Sequence, residues 1–146
     1  MNLFSLNEQV ILISGSSRGL GWAMAKAMAE FGATVILNGR DRELLSKRHS
    51  ELEQAGFKAG VKVFDTADEN QVLRGLQSII DEYGQINGLV NNAAIQHRQT
   101  IQDFNLSDYD RLMDINLRGC FLLAREASRL MLEKGSGSIL NIASIM

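Results

Sequence analysis

Three glycines near the start of the chain separate a short apolar run from a helical pattern. The run is Val10-Ile11-Leu12-Ile13, and the glycines are Gly15, Gly19 and Gly21. Because glycine has no β-carbon, Gly15 permits a tight turn, Gly19 lets the backbone approach a ligand, and Gly21 allows close packing of helix on strand. The N–H groups at such a helix start attract anions, so this order predicts a dinucleotide pyrophosphate site. Neighbouring hydroxyls are expected to add donors there: Ser14, Ser16 and Ser17.

Short apolar runs alternate with amphipathic helical patterns along the rest of the chain. Further buried strands are predicted at residues 34–37, 61–64, 86–90 and 138–142. Strands that alternate with helices build βαβ units, whose crossovers are right-handed and whose strands form a parallel sheet covered on both faces. The sequence therefore predicts a single doubly wound α/β domain over residues 1–146.

Residues that favour helix ends indicate where the helices begin and end. Asp41 and Asp68 are placed to cap the second and third helices, and Gly84 to end the third. A long helix is predicted from about Ser107 to Lys134. The buried face of the first helix is predicted from apolar residues at helical spacing: Leu20, Met24, Ala27 and Phe31.

Composition and charge exclude several classes of protein. The 15 Lys and Arg residues against 17 Asp and Glu give a formal net charge of −2, which lacks the basic excess of a nucleic-acid binder. No apolar run reaches the roughly 20 residues of a membrane span. Cys120 is the single cysteine, so we predict no internal disulfide and no metal site. We expect a cytoplasmic protein that acts on a small molecule, with no nucleic acid and no membrane as partner.

Four further motifs follow the glycine-rich turn. They are Asp65-Thr66 after the third strand, Asn91-Asn92-Ala93-Ala94 after the fourth, Asn116 in the long helix, and Ser144 after the fifth strand. With the spacing Gly-x-x-x-Gly-x-Gly, these motifs resemble those of the short-chain dehydrogenase/reductase family. Two positions depart from the family pattern, since Ala94 replaces the usual Gly and Thr66 the commoner Val. Residues 3–6 and 91–98 are most similar to the gluconate 5-dehydrogenase group of that family.

The resemblance implies a Rossmann fold with strand order 3-2-1-4-5 that lacks the C-terminal part of the family fold. It implies hydride transfer between NADP(H) and a secondary alcohol or ketone, such as a sugar acid of the gluconate type. Asn116 and Ser144 match catalytic positions, where the serine polarises the reacting oxygen and the asparagine anchors a water that carries the proton to solvent. The positions that match cofactor-binding residues are Ser14, Gly15, Ser17, Arg18, Gly19, Leu20, Gly21, Arg40, Asp65, Thr66, Asn91 and Ala93.

The end of the second strand favours NADP over NAD. An acidic residue there repels the 2′-phosphate, whereas an uncharged residue beside an arginine accommodates it. Gly39 stands at the usual acidic position and Arg40 follows, while Arg18 in the glycine-rich turn is a second cation. Charge-assisted hydrogen bonds of about 1.5–3 kcal/mol give a roughly ten- to hundredfold preference. In the alternative interpretation both arginines are solvated, and Asp41 partly neutralises Arg40.

The acid–base pair of the family, Tyr-x-x-x-Lys, does not occur in the sequence. In the family it follows the catalytic serine, and this sequence ends at Met146. Tyr83 and Tyr109 are followed four residues later by Asn87 and Met113 rather than by lysine. We therefore expect this chain alone to be a poor enzyme, because positioned acid–base groups contribute about 10²–10⁴ in rate. A non-catalytic nucleotide-binding module and an inactive truncated product are the alternatives.

His97 and Arg98 follow the fourth strand, at the edge of the sheet where doubly wound folds bind ligands. Arg98 can receive the carboxylate of a sugar acid and His97 can hydrogen-bond its hydroxyls; in the alternative both are loop residues without a specific role. The family resemblance also implies a homo-oligomer, a dimer or tetramer, that pairs partly through the long helix.

Overall fold

The structure is a computed structural model that describes residues 4–144. Strands and helices alternate along the chain. Leu3, the first residue of the 3–6 motif, and Met146 lie outside the described residues. The strands are β1 (Val10–Ile13), β2 (Thr34–Gly39), β3 (Ala59–Val63), β4 (Gly88–Asn91) and β5 (Ser138–Asn141). The helices are α1 (Gly19–Glu30), α2 (Arg42–Gln54), α3 (Glu69–Tyr83), α4 (Leu106–Met113) and α5 (Gly119–Lys134), with a short 3-10 turn at Ile101–Asp103.

The five strands form one parallel sheet in the order β3-β2-β1-β4-β5. This confirms the predicted doubly wound fold and its strand order. Ile11 of β1 pairs with Val35 on one side and with Gly88 on the other, so the strand order reverses beside β1. Ligands of such sheets bind at the carboxyl ends of the strands where this reversal occurs.

The central strands carry apolar side chains on both faces because helices cover the sheet on both sides. Leu12 and Ile36 belong to a buried cluster that includes residues of α3 and α5. Ile13 and Leu37 belong to a second cluster, with residues of α1 and α2. Continuous apolar runs are typical of parallel strands buried on both faces, which explains why β1 and β2 were recognisable from the sequence.

The predicted caps of α2 and α3 are confirmed. Asp41 accepts a hydrogen bond from the backbone N–H of Leu44, and Asp68 accepts one from the backbone N–H of Gln71. The bond from Gln71 is also the main reason why the pKa of Asp68 lies below its usual value. α3 ends at Gly84 in a left-handed conformation, as predicted.

The predicted buried face of α1 is wrong except at Met24, which is partly buried and packs against the core. Leu20 and Phe31 are 58% and 47% exposed, whereas the buried residues of α1 are Gly21, Ala25 and Ala29. A β-carbon on Gly21 would lie 2.5 Å from the Asn92 side chain, so the helix lies too close to its neighbours for larger residues on that face. The helical spacing of the bulky apolar residues predicted that they face the core. In the structure α1 lies so close to its neighbours that small residues occupy the buried face instead.

The predicted long helix is interrupted. A π-helical segment, Asp114–Arg118, separates α4 from α5, and Asn116 lies within it. Such π-turns widen a helix locally and occur frequently at functional sites. The uninterrupted apolar pattern gave no sign of this change in helix type.

Candidate functional site

A cavity of about 390 Å³ lies where the glycine-rich turn meets the carboxyl ends of the strands. Its lining includes Asn38, Asn92, Ile95 and Ile115, which come from different parts of the chain. The predicted cofactor-binding residues in the lining are Gly15, Ser17, Arg18, Leu20, Gly21, Arg40, Asp65, Thr66 and Ala93. The fold therefore brings most of the sequence-predicted set to one place.

The glycine-rich turn is packed tightly at one end and open in its middle. Gly15 has φ +65°, and a β-carbon there would lie 2.8 Å from the Cα of Ala93. Gly19 has φ +57°, and a β-carbon there would meet no atom within 4 Å. Gly15 thus closes the turn onto the segment after β4, whereas the backbone at Gly19 is accessible to a ligand.

Two serines of the turn are structural, which corrects their predicted role as donors to an anion. Ser14 is buried, and its Oγ donates to the Val90 carbonyl while accepting from the N–H groups of Asn92 and Ala93, each 3.0 Å away. Ser16 is also buried, and its Oγ accepts from the N–H of Asn38. Neither hydroxyl lines the cavity, because both hold the turn to neighbouring strands.

The side chain of Asn91 is buried outside the lining of the cavity, and its Oδ1 has no hydrogen-bond partner among residues 4–144. Its Nδ2 donates to Oδ1 of Asn141 at 2.9 Å and to the Cys120 carbonyl at 3.3 Å, which connects β4 to β5 and α5. Asn92 lines the cavity instead, and its Nδ2 donates to the carbonyls of Ser14 and Gly15. The side chain of Asn92 therefore holds the glycine-rich turn from the end of the neighbouring strand, β4.

Arg40 lies beside Asp65 rather than beside Asp41. Nη1 of Arg40 is 3.8 Å from Oδ2 of Asp65, and the two side chains are 57% and 33% exposed. Asp41 caps α2 and also lines the cavity, and no ion pair within residues 4–144 joins it to Arg40. An exposed pair at this distance contributes little free energy, about 0–1 kcal/mol, so an incoming phosphate can displace it.

The segment Asp65-Thr66 forms a second wall of the cavity. Oδ1 of Asp65 accepts from the N–H of Ala67 at 2.9 Å, which fixes the turn after β3. Thr66 is buried against the start of α5, where a β-carbon on Gly119 would lie 3.0 Å from Oγ1 of Thr66. The glycine at the start of α5 thus allows the helix to support this wall.

Asn116 is held by the segment after β4. Its Nδ2 donates to the carbonyl of Ile95 and its Oδ1 accepts from the N–H of Ile95, both at 2.9 Å. Ile95 and Ile115 line the cavity, whereas Asn116 does not. The side chain expected to anchor a water therefore fixes the backbone of Ile95, one wall of the cavity.

Ser144 is exposed and lies three residues beyond β5. The last residue of β5, Asn141, pairs with Asn91 at the end of β4, so both chain segments leave the same edge of the sheet. Ser144 is not in the lining of the cavity.

His97 is engaged within its own loop. Its Nε2 is 3.0 Å from Oε1 of Gln99 and 3.5 Å from Oδ2 of Asp108, and its ring meets Phe104 edge-on. These contacts tie the loop after β4 to the start of α4. Arg98 is exposed beside it. The structure thus gives His97 a role in the loop that the sequence did not reveal.

Tyr83 is unsuited to proton transfer near neutral pH. Burial, together with the neighbouring Glu82 carboxylate, raises the pKa of Tyr83 to about 12. A catalytic acid or base works best when its pKa lies near the operating pH. Tyr83 also ends α3, outside the lining of the cavity.

Asn38 is a cavity residue that sequence reasoning missed. It is buried, and its Nδ2 donates to the carbonyls of Lys62 and Phe64, while its Oδ1 has no hydrogen-bond partner among residues 4–144. A buried polar atom without a partner is costly unless a ligand or water satisfies it. Its position as a polar residue directly after the apolar run Val35-Ile36-Leu37 of β2 was the available signal.

The described residues contain neither a membrane-spanning helix nor a metal site. No helix within residues 4–144 has both the length and the apolarity needed to cross a membrane. The same part of the chain contains no cluster of His, Cys, Asp and Glu side chains suited to a metal ion.

Comparisons with known proteins agree with this geometry. A model of the short chain dehydrogenase family matches residues 9–146. Gluconate 5-dehydrogenase of Gluconobacter oxydans (strain 621H) is 40% identical over 144 residues, which cover 99% of this chain and 56% of that protein. The chain thus spans about half the length of the curated relatives it matches.

Solved structures with the same fold hold different nicotinamide cofactors. A gluconate 5-dehydrogenase from Burkholderia cenocepacia J2315 in complex with NADP and tartrate is 38% identical with a TM-score of 0.92, over 97% of this chain and 55% of that one. An NAD⁺-bound xylitol dehydrogenase is 32% identical with a TM-score of 0.92, over 96% of this chain and 54% of that one. The fold alone therefore does not distinguish NADP from NAD, so the choice depends on the residues that line the cavity.

Proposed function

This chain is a member of the short-chain dehydrogenase family, and from that premise we propose that its cavity binds NADP(H) within an oxidoreductase. The proposed reaction is hydride transfer between NADP(H) and a secondary alcohol or ketone. The observation that carries the proposal is one cavity that contains the glycine-rich turn, Arg18 and Arg40. When bound, the nicotinamide supplies the hydride, while the residues of this chain bind and orient it.

The cavity residues fit a dinucleotide by their chemistry. The accessible backbone at Gly19 and the free N–H groups at the start of α1 suit a pyrophosphate. Asp65 and Thr66 form the wall proposed to receive the adenine, and Ala93 contributes a small side chain from the segment after β4. The unpartnered Oδ1 of Asn38 offers a hydrogen-bond acceptor inside the same cavity.

Preference for NADP is proposed on electrostatic grounds. Gly39 places no carboxylate at the end of β2, while Arg18 and Arg40 both line the cavity. No ion pair within residues 4–144 engages Arg18, and the pair between Arg40 and Asp65 is loose. Two available guanidinium groups suit a 2′-phosphate, whose charge-assisted hydrogen bonds are strong.

Calorimetric titration of the purified protein with NADPH and NADH tests the cofactor. We expect NADPH to bind about ten- to hundredfold more tightly. Equal affinities, or tighter binding of NADH, would contradict the preference for NADP. Absence of binding by either would contradict the proposed function itself.

A sugar acid of the gluconate type is the proposed substrate class. Arg98 is exposed on the loop after β4, three residues beyond Ile95 of the cavity lining, and can receive a carboxylate. The relatives that act on gluconate or 5-keto-D-gluconate support this class. Because no Tyr-x-x-x-Lys pair occurs in this sequence, we expect only slow oxidation of NADPH on addition of 5-ketogluconate, and a reaction only with uncharged ketones would contradict this substrate class.

Nucleotide binding without turnover is the second candidate function. It is favoured by the residues four positions after Tyr83 and Tyr109, which are Asn87 and Met113 rather than lysine, and by the raised pKa of Tyr83. Tight binding of NADPH without its oxidation by any ketone would support this candidate over the first.

A homo-oligomer, dimer or tetramer, is the proposed assembly. Exposed apolar residues recur three or four positions apart on α4 and along the helix that follows: Leu106, Tyr109, Met113, Leu117 and Phe121. Contiguous apolar surface of this kind marks protein interfaces. The proposed compartment is the cytoplasm, in keeping with the single cysteine.

A further inference from the structure

Arg48 joins the middle of α2 to the glycine-rich turn. Its Nε donates a hydrogen bond to the carbonyl of Ser17 at 3.0 Å, across 31 residues of sequence. The Arg48 side chain is 25% exposed, so solvent screens this contact only in part. Ser17 itself lines the proposed cofactor cavity, whereas Arg48 does not.

Three contacts hold the Arg48 guanidinium in place. Its Cζ lies 4.8 Å from the centre of the Trp22 ring, within the range of a cation–π contact. Its Nη1 donates to both carboxylate oxygens of Glu51, at 3.1 and 2.9 Å. Because the planar group is already fixed by Trp22 and Glu51, little further rotamer freedom is lost in the bond to Ser17.

The bond to Ser17 sets the direction of the next peptide group. A peptide unit is planar and its carbonyl and N–H point in opposite directions, so fixing the Ser17 carbonyl also fixes the Arg18 N–H. Arg18 precedes α1 in an extended conformation, with φ −157° and ψ 172°. The bond from Arg48 therefore controls where the backbone presents Arg18.

α2 also follows directly on Arg40. Arg40 stands at the end of β2 and α2 begins at Arg42. Arg48 thus connects the two segments that carry the cavity's guanidinium groups, the turn with Arg18 and the strand end with Arg40. The tether fixes the turn relative to the helix, and with it the spacing of the two cations.

We propose that Arg48 is a positioning residue for NADP selection, which holds the Ser17–Arg18 peptide so that Arg18 and Arg40 engage the 2′-phosphate together. The inference rests on the proposed binding of NADP(H). It predicts that loss of Arg48 weakens binding of NADPH more than binding of NADH, which has no 2′-phosphate.

Arg48→Met tests this in the purified protein, because methionine keeps an apolar stem over Trp22 but removes the donor and the charge. We expect the Kd for NADPH to rise about tenfold and the Kd for NADH less than about twofold, by calorimetry. Lys47→Met is the matched control, since it removes the same charge from the adjacent residue, whose side chain makes no hydrogen bond or ion pair with the described residues. Emission of Trp22, the single tryptophan, should change in Arg48→Met and not in Lys47→Met.

The outcomes separate three cases. An unchanged ratio of NADPH to NADH affinity in Arg48→Met, an equal loss for both cofactors, or the same shift in Lys47→Met overturns the role of Arg48. If the unaltered protein shows no preference for NADPH, the proposed NADP preference fails before any variant is compared. If Arg48→Met does not melt cooperatively, Arg48→Lys decides, because one ammonium group cannot reproduce the simultaneous bonds to Ser17 and Glu51. We then expect the same change of ratio at about threefold.

Discussion

β1 and β5 are short apolar strands of the same parallel sheet, yet they lie in opposite environments. All four residues of β1 are buried, and Leu12 has no exposed surface. All four residues of β5 are exposed, and Leu140 is 48% exposed. β1 lies between β2 and β4 and is covered by helices on both faces of the sheet, whereas β5 is an edge strand. A short apolar run thus predicts a strand in both cases, but whether the strand is buried depends on the strands and helices packed against it.

The contrast extends to the functions of the two regions. At the carboxyl end of β1, Ser14 and Asn92 fix the glycine-rich turn through several hydrogen bonds. At β5, a side-chain hydrogen bond joins Asn91 of β4 to Asn141, and the apolar side chains of the strand are exposed. The first region carries the proposed cofactor cavity, and the second presents exposed apolar side chains that contacts with other apolar groups would stabilise.

Removal of the same side chain from the two strands should give the largest difference. Leu12→Ala leaves a cavity in a closed core, so we expect a loss of about 2–5 kcal/mol in the free energy of unfolding. Leu140→Ala should cost about 0.5 kcal/mol, because its side chain already meets solvent. Urea unfolding of both variants measures the difference. Comparable losses would mean that β5 is covered in solution.

Removal of Arg40 should affect cofactor binding without affecting the core. Arg40→Ala deletes a proposed partner of the 2′-phosphate, so we expect NADPH binding to weaken by about 1.5–3 kcal/mol and NADH binding to change little. Arg42→Ala is the control, since Arg42 lies two residues on and outside this cavity. Titration calorimetry measures the affinities of both variants and of the unaltered protein for NADPH and for NADH. Equal weakening of both cofactors in Arg40→Ala would refute the assignment.

Two glycines with similar backbone conformations distinguish the regions further. Gly15 and Gly135 have φ +65° and +76°, but only at Gly15 would a β-carbon meet neighbouring atoms. Gly135→Ala should cost about 1–2 kcal/mol in stability from backbone strain alone, with cofactor binding intact. Gly15→Ala should cost more stability and also weaken NADPH binding, because Ala93 must move. Similar stability losses, with binding unchanged in both, would count against the tight closure of the turn.

A pH effect, the smallest, tests the link between α3 and α5. Arg125 donates a hydrogen bond to Glu69, which lowers the pKa of Glu69 below its ordinary value of 4.5. A lowered carboxylate pKa stabilises the folded state above the unfolded pKa, and this contribution is lost as pH falls through the folded pKa. As pH falls below about 4.5, the free energy of unfolding should therefore decrease less in the Glu69→Gln variant than in the unaltered protein.

Glu133→Gln provides the comparison for that acid titration. Glu133 is an exposed acid on α5 without an ion pair among the described residues. Its substitution should leave the pH dependence of unfolding as it is in the unaltered protein. A flattened curve in Glu133→Gln as well would show that general charge, rather than the bond to Arg125, is responsible.

Local signals in the sequence predicted much of this structure. Asp41 and Asp68 cap their helices as predicted, because capping depends on side chains within three residues of each other. The apolar runs of β1 and β2 predicted strands because two-sided burial demands continuous apolarity. Most of the glycine-rich turn and the segment Asp65-Thr66 line one cavity, which a resemblance in motif order also predicted.

Contacts distant in sequence account for what the sequence missed. The serine hydroxyls at 14 and 16 are satisfied by β4 and β2 rather than by a ligand. The buried face of α1 follows small residues because Asn92 lies close to Gly21. Asn116 gave no sign that it would bond Ile95 from within a π-turn.

The sequence by itself determined the alternation of strands and helices and the helix caps, because these depend on periodicity and short-range hydrogen bonds. The order of its motifs identified the family, and the strand order was implied by that resemblance. Only the tertiary structure decided which polar groups face the cavity and which apolar strand is buried. A hydroxyl or amide is available to a ligand only where neighbouring elements leave its hydrogen bonds unmade, and a leucine is buried only where another element covers it. Arg48 shows the same dependence, since its carbonyl partner, Ser17, lies 31 residues away in sequence.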